Sequence, residues 1–159
     1  MKLFDKKILE AIGKKLIQKK QSVSVAESVT SGLLQLAFST IPDAVDFFQG
    51  GITAYNLGQK YRHLKVEPIH ALSVNSVSQQ VSIAMAIHVC DLYSSDWGIG
   101  ITGYATPVPE SANKVFAFYA ITYKNKLKAK GKIPAKKDDP TELQLKYTNF
   151  IMQKFAQLL

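Results

Sequence analysis

Residues 22–38 have the sequence SVSVAESVTSGLLQLAF, and this stretch decides the fold. The β-branched run Ser22–Ala26 is typical of a strand, and the apolar segment Thr30–Phe38 predicts a short helix after the turn at residues 27–29. A strand that leads directly into a helix is the building unit of α/β proteins. In such proteins ligands bind outside the carboxyl ends of the parallel strands, so this turn is the first place to look for chemistry.

The remaining segments extend this unit to an α/β fold. Further helices are predicted at 4–20, 57–64, 76–93 and 140–159, and further strands at 48–55, 97–102, 114–123 and 126–133. The last two strands are separated only by a turn at Asn125, so they form an antiparallel hairpin. We therefore expect a three-layer α/β/α sandwich with a mixed, mostly parallel sheet. No repeat or linker divides the sequence, which predicts one domain over residues 1–159.

Two of the predicted helices have recognisable starts. Ser76 is followed three residues later by Gln79, which is the pattern of a capping box. Asp139 precedes Pro140, and this pair is typical of an N-cap followed by the first helical residue. We expect Ser76 and Asp139 to be the N-caps of their helices.

The composition excludes several classes of protein. The chain has 159 residues, of which 47% are hydrophobic, and this is enough apolar material for a folded core. The single cysteine, Cys90, argues against a disulfide-stapled scaffold. No apolar run reaches the ~18 residues of a membrane-spanning helix, and the lysine-rich N-terminus lacks the apolar core of a signal peptide. A cytoplasmic location without a membrane partner is therefore expected.

The net charge of +8 is concentrated in two segments. Residues 1–20 carry +5 and residues 124–137 carry +7, whereas residues 21–123 carry −3. In segment 124–137 the lysines alternate, so in a continuous strand five of them share one face. No aromatic residue is interleaved with them for base stacking, and lysines commonly protect an edge strand from aggregation. Nucleic acid is therefore an alternative partner that we do not expect.

Three predicted strand ends carry polar residues that could perform chemistry. At the first, the hydroxyls of Ser28, Thr30 and Ser31 lie at a helix start, where free N–H groups suit a phosphate or an oxyanion. Ser28 is a possible nucleophile if a base reaches it, and the alternative is that these residues only cap the helix.

The second strand end contains Gly50-Gly51 and Tyr55, with Lys60 five residues after the tyrosine. A lysine acts as a general base when burial lowers its pKa, and the alternative is an exposed surface lysine. The third strand end, Thr102-Gly103, leads into a loop that could line a site. The three histidines and one cysteine have no metal-ligand spacing, so neither a metal nor a cofactor is expected.

Taken in order, these motifs resemble those of the CinA carboxy-terminal domain family, the nicotinamide-nucleotide amidohydrolases. The family's Ala-Glu-Ser-Cys-Thr-Gly-Gly turn is matched by residues 26–32, and its Gly-Gly strand with a later Tyr and Lys is matched by residues 50–60. Its Gly-Ala-Val-Ser helix start is matched in part by residues 75–78, and its Thr/Ser-Gly strand end by Thr102-Gly103. The resemblance covers nearly the whole chain.

The resemblance implies a three-layer domain that hydrolyses the carboxamide of nicotinamide mononucleotide, or of a related nucleotide, to the acid and ammonia. By matched position, Ser28 is the expected nucleophile, Lys60 its base and Tyr55 a proton-relaying or orienting partner. No metal or cofactor takes part, and the domains of this family make a homo-oligomer the expected state. The expected substrate-binding residues are Glu27, Thr30, Ser31, Gly32, Gly50, Gly51, Thr102 and Gly103.

Some positions depart from the family pattern. Val29 replaces the motif cysteine, and the family's glycine-rich Gly-Ile-Ala-Gly-Pro loop contains Tyr104 and Thr106 here. The family's late Gly-Asp-Arg has no match before the last helix. Bulky residues restrict a backbone that glycines allow to close around a ligand. The alternative function is therefore a non-catalytic member that binds a nucleotide or a protein partner.

Overall fold

A five-stranded mixed sheet forms the centre of the computed structural model, which describes residues 2–159. The strands are β1 (Val23–Glu27), β2 (Phe48–Thr53), β3 (Trp97–Tyr104), β4 (Phe116–Tyr123) and β5 (Lys126–Pro134), in the spatial order β2-β1-β3-β4-β5. β1 pairs in parallel with β2 and β3, and β4 pairs antiparallel with β3 and β5. Only β4 therefore runs against the other strands, as a mixed and mostly parallel sheet requires.

Helices cover both faces of the sheet. They are α1 (Lys6–Lys19), α2 (Leu33–Ser39), α3 (Leu57–Leu64), α4 (Pro68–Ser73), α5 (Gln79–Tyr93) and α6 (Pro140–Leu158). A core with Leu16, Phe38 and Phe155 lies under α1, α2 and α6, and a second core with Leu64 and Met85 lies under α3, α4 and α5. The predicted three-layer α/β/α sandwich is confirmed. None of the helices within residues 2–159 is both long and apolar enough to cross a membrane.

The close approach of α5 to the sheet depends on two glycines of β3. A Cβ atom at Gly98 would lie 2.0 Å from the carbonyl oxygen of Ala86, and one at Gly100 would lie 2.4 Å from that of Ser82. Any larger residue would push the helix away from the strand. This packing sets the position of α5 beside the carboxyl end of β3.

The structure differs from the sequence prediction at the start of α5. Ser78 is the N-cap, because its hydroxyl accepts a hydrogen bond from the N–H of Val81. Ser76 instead adopts a left-handed conformation with φ 58°, and its carbonyl oxygen accepts a hydrogen bond from Thr102. The prediction of Ser76 as the N-cap is wrong, whereas Asp139 caps α6 by accepting a hydrogen bond from the N–H of Thr141.

The short helix α4 was not predicted. Glu67 caps it by accepting hydrogen bonds from the N–H groups of Ile69 and His70, and Pro68 occupies its first turn. Ala71 is its only buried residue, while Ile69 and Leu72 are 80% and 76% exposed, so the apolar residues form no helical pattern in the sequence.

Candidate active site

The structure brings Ser28 and Lys60 together. Ser28 is the first residue after β1, and Lys60 lies in α3, whose start is fixed by the side chain of Asn56 accepting a hydrogen bond from the N–H of Gln59. The Lys60 Nζ atom lies 3.0 Å from the Ser28 Oγ atom. Lys60 is only 2% exposed and Ser28 only 6%. A buried amine thus contacts a buried hydroxyl at the carboxyl end of a parallel strand.

Burial changes the acidity of the lysine. It lowers the pKa of Lys60 from 10.5 to about 8, because an ammonium loses its hydration in the interior. Within residues 2–159 no carboxylate forms an ion pair with Lys60 that would oppose this shift. About a tenth of Lys60 is therefore neutral at pH 7 and about half at pH 8, and a neutral amine can accept the proton of a hydroxyl.

Glu27 holds the turn that presents Ser28. Its side chain is completely buried and accepts hydrogen bonds from the Thr30 hydroxyl at 2.5 Å and from the N–H groups of Leu34 at 3.0 Å and Gln35 at 2.8 Å. A carboxylate at a helix start stabilises the free N–H groups there. Both side chains are directed into the turn and neither residue lines the cavity over Ser28, and their substrate-binding roles stay predictions.

The other motif residues of the first two strand ends also shape the backbone. Ser31 and Gly32 have φ angles of 53° and 102°, which the turn into α2 requires. Gly50 has a φ of 131°, and a Cβ atom there would lie 2.9 Å from the Tyr93 ring, while one at Gly51 would lie 2.9 Å from a backbone oxygen of β1. None of these four positions lines the cavity beside Ser28, and their substrate-binding role stays a prediction.

An open cavity of about 660 Å³ lies over the Ser28–Lys60 pair. It is formed at the carboxyl ends of β1 and β3, where α/β proteins bind their ligands. Among residues 2–159 no cluster of three or more His, Cys, Asp or Glu could hold a metal ion. The polar residues that line the cavity are Ser28, Tyr55, Asn56, Lys60, Asn75, Ser76, Thr102, Tyr104, Thr106, Glu110 and Gln144.

Thr102 and Gly103 lie in the cavity wall at the end of β3. The Thr102 hydroxyl donates a hydrogen bond of 2.8 Å to the carbonyl oxygen of Ser76, and this bond ties β3 to the segment before α5. A Cβ atom at Gly103 would lie 2.5 Å from the carbonyl oxygen of Phe116. Gly103 is therefore required by its pairing with β4, whatever else it contacts.

Tyr55 lies at the rim of the cavity. It is 71% exposed, and its hydroxyl forms no hydrogen bond with any residue between 2 and 159. The structure therefore does not bring Tyr55 within hydrogen-bonding distance of Ser28 or Lys60.

Two cavity residues, Gln144 and Asn75, were not identified from the sequence. Gln144 in α6 donates a hydrogen bond of 3.0 Å to the carbonyl oxygen of Val29. Asn75 donates one of 3.2 Å to the hydroxyl of Tyr104, across the cavity wall. The partial motif match at residues 75–78 was a signal for Asn75, but nothing in the sequence pattern distinguished Gln144 from other surface residues of α6.

Backbone donors are available in the turn after the serine. The N–H groups of Val29 and Thr30 are not taken up by a hydrogen bond within the described residues 2–159. Free N–H groups beside a nucleophile are the usual components of an oxyanion site.

Comparison with known proteins identifies the family. The model of the CinA C-terminal domain matches residues 5–158. A CinA-like protein of Picosynechococcus is 35% identical over 70% of this chain, and a putative competence-damage inducible protein of Desulforamulus reducens is 36% identical over 72%. The chain spans only about a quarter of the length of these curated relatives, with 27% and 28% of each covered.

Solved structures share the fold. A competence/damage-inducible protein from Agrobacterium tumefaciens superposes with a TM-score of 0.86 at 22% identity, and covers 99% of each chain. A competence damage-inducible protein from Klebsiella pneumoniae gives a TM-score of 0.90 at 19% identity, over 96% of this chain and 94% of that one. At these identities the likeness supports the fold alone. The match of the family model over residues 5–158 shows that this chain belongs to the CinA C-terminal domain family.

Proposed function

We propose that this chain is an amidohydrolase that cleaves the carboxamide of nicotinamide mononucleotide or of a related nucleotide, with Ser28 as nucleophile and Lys60 as general base. The observation that carries the proposal is the 3.0 Å contact between the Lys60 Nζ atom and the Ser28 Oγ atom. Both groups are buried, and both line the same open cavity. A serine with a base within hydrogen-bonding distance is the arrangement of an activated nucleophile.

The first half of the reaction forms an ester on Ser28. Neutral Lys60 takes the proton of Ser28 as Oγ bonds to the carboxamide carbon, and the carbonyl electron pair moves to oxygen. The free N–H group of Val29, which lines the cavity, is an available donor for that oxyanion. When the carbon–nitrogen bond breaks, the Lys60 ammonium gives its proton to the leaving nitrogen, which departs as ammonia.

The second half regenerates the enzyme. A water molecule gives a proton to Lys60 while its oxygen attacks the ester carbon, and the carbon–Oγ bond then breaks. Ser28 recovers its proton from Lys60, and the product is the nucleotide carboxylic acid. Lys60 accepts and returns one proton in each half, which requires a pKa near the working pH, and its value of about 8 meets this requirement.

Tyr55 is proposed to orient the substrate, whereas Ser28 and Lys60 perform the chemical step. Because it is exposed at the rim and contacts neither Ser28 nor Lys60, it is suited to orient the substrate rather than to relay the Ser28 proton.

A non-catalytic binding function is the second candidate. Tyr104 and Thr106 line the cavity at positions where the family pattern has Ile and Gly, so the cavity could hold a ligand in a pose that Ser28 and Lys60 do not reach. In that case nucleotides bind, but no ammonia is released.

The test of the proposed function is ammonia release from nicotinamide mononucleotide. We expect release by the wild-type chain and a loss of at least about a thousandfold in Ser28→Ala, because the nucleophile is removed. Ser39→Ala, which removes a hydroxyl from the exposed end of α2, serves as the matched control and keeps wild-type activity. Equal rates in wild type and Ser28→Ala would refute the proposal.

A further inference from the structure

Three aromatic rings extend from the cavity wall across the sheet. The ring of Tyr104, which lines the cavity, lies 5.4 Å from that of Phe116, and Phe116 lies 5.7 Å from Phe118, both pairs edge to face. All three side chains are half-buried, and none belongs to either hydrophobic core. A ligand can contact half-buried aromatic rings, whereas rings in a core are covered by other side chains.

The pairing of the strands places a lysine beside these rings. Thr102 of β3 pairs with Phe118 of β4, and Phe118 pairs with Lys132 of β5, so the three share one face of the sheet. The Lys132 Nζ atom lies 4.0 Å from the centre of the Phe116 ring. Neighbouring strands are ~4.8 Å apart, which puts the Lys132 backbone about 10 Å from Thr102 in the cavity wall. We call Tyr104, Phe116, Phe118 and Lys132 the aromatic strip.

The charge on β5 is divided between the two faces of the sheet. A bulge between Leu127 and Ala129 changes the register, so Lys130 and Lys132 lie on the face of the aromatic strip while Lys126 pairs with Tyr123 on the other. Because the strand is not continuous, the five alternating lysines do not share one face. None of the lysines between 124 and 137 forms an ion pair within residues 2–159. Lys132 is thus free to bind an external anion.

The basic segment has aromatic neighbours in space, although no aromatic residue is interleaved with its lysines in the sequence. The rings come from β4, not from β5 itself, and Lys132 and Lys128 lie over rings of Phe116 and Tyr123. A sequence scan of the lysine segment could not show this, because the rings and lysines meet only through strand pairing.

We propose that the aromatic strip binds the second nucleotide of a dinucleotide whose carboxamide-bearing half occupies the cavity at Ser28. This inference rests on the proposed function and narrows its substrate class. When the Lys132 ammonium turns from the Phe116 ring to a phosphate oxygen, the aromatic faces that it covered can stack on the planar base. The aromatic strip begins in the cavity wall and reaches about 10 Å from it, so one dinucleotide can contact the cavity and the strip at the same time.

The test measures binding, so it does not depend on turnover. The dissociation constants of nicotinamide mononucleotide and nicotinamide adenine dinucleotide are determined by calorimetry on the Ser28→Ala chain. We expect the dinucleotide to bind about tenfold more tightly, because its second half gains stacking and a charged contact. Adding Lys132→Gln or Phe118→Leu is expected to remove most of this preference and to leave mononucleotide binding unchanged. Lys126→Gln, the same charge change on the opposite face, is the matched control.

The outcomes separate this inference from the proposed function. Mononucleotide binding without a preference for the dinucleotide overturns the inference and leaves the proposed function standing. A dinucleotide preference that depends on Lys132, in a wild-type chain that releases no ammonia, supports the binding site and refutes the catalytic function. Tighter binding of a single-stranded oligonucleotide that is lost in Lys132→Gln overturns the inference in favour of a nucleic-acid site. Binding of neither nucleotide overturns it as well.

Discussion

The burial of Lys60 affects both the proposed chemistry and the stability of the fold. Lys60 is 2% exposed and its amine has no carboxylate partner within the described chain, so an ammonium at this position carries an uncompensated desolvation cost. The same cost lowers its pKa to about 8 and makes the neutral base available. The burial that makes Lys60 a base therefore also destabilises the folded chain.

Replacing Lys60 should change the free energy of unfolding by an amount that depends on pH. Between pH 8 and 10.5 the unfolded chain holds the Lys60 proton more firmly than the folded chain, so the free energy of unfolding rises with pH. Below about pH 8 both states hold the proton and the wild type carries the full cost. We therefore expect Lys60→Met to be more stable at pH 7 by roughly 1–3 kcal/mol, with an advantage that shrinks towards pH 10.5.

Urea denaturation at several pH values measures this advantage directly. Lys14→Met, at an exposed position of α1, is the control and should show no such pH dependence. A Lys60→Met chain that is less stable than wild type at pH 7 would contradict the explanation.

Tyr55 tests whether a residue matched by resemblance acts in the chemical step. Because its side chain is 71% exposed, Tyr55→Phe should change the free energy of unfolding by less than about 0.5 kcal/mol. Its hydroxyl contacts neither Ser28 nor Lys60, so we expect KM to rise while kcat falls by less than about tenfold. Steady-state kinetics separates the two constants. A fall in kcat as large as that of Lys60→Met would restore the proton-relay role.

At the scale of elements, the contact between α5 and β3 fixes the wall of the cavity. Gly100→Ala places a Cβ atom 2.4 Å from the Ser82 carbonyl oxygen, and we expect a loss of stability of about 1–3 kcal/mol or more. Gly58→Ala is the matched control, because its nearest neighbour lies at 3.5 Å and α3 gains up to about 1 kcal/mol of helix propensity. Thermal unfolding compares the two variants. Similar melting temperatures would contradict the tight packing of α5 against β3 at Gly100.

Elements with a regular apolar pattern were predictable, and those without one were not. α3 lies at the predicted residues 57–64, and β4 and β5 form the predicted hairpin. The sequence did not reveal α4, because Ile69 and Leu72 are exposed and form no apolar pattern. It did not reveal the bulge in β5, because the register of a strand depends on its partner strand.

At the scale of the whole molecule, the fold converts distant sequence positions into one site. Ser28 and Lys60 are both named by the resemblance, but their 3.0 Å contact depends on how α3 packs beside β1. The roles of Glu27 and Gly51 could not be separated from ligand binding by sequence matching, because a motif does not distinguish a packing requirement from a contact with substrate. A homo-oligomer and a cytoplasmic location stay predictions.

The central claim, that buried Lys60 activates Ser28, is tested most directly by the pH dependence of kcat/KM for ammonia release from nicotinamide mononucleotide. The neutral form of Lys60 increases as pH rises through its pKa, so kcat/KM of the wild type should rise through about pH 8 and level off above it. In Lys60→Met the value should be about a hundredfold to ten-thousandfold lower and lack this rise. A wild-type profile that is flat across pH 8, or a Lys60→Met profile that keeps the rise, would contradict the claim.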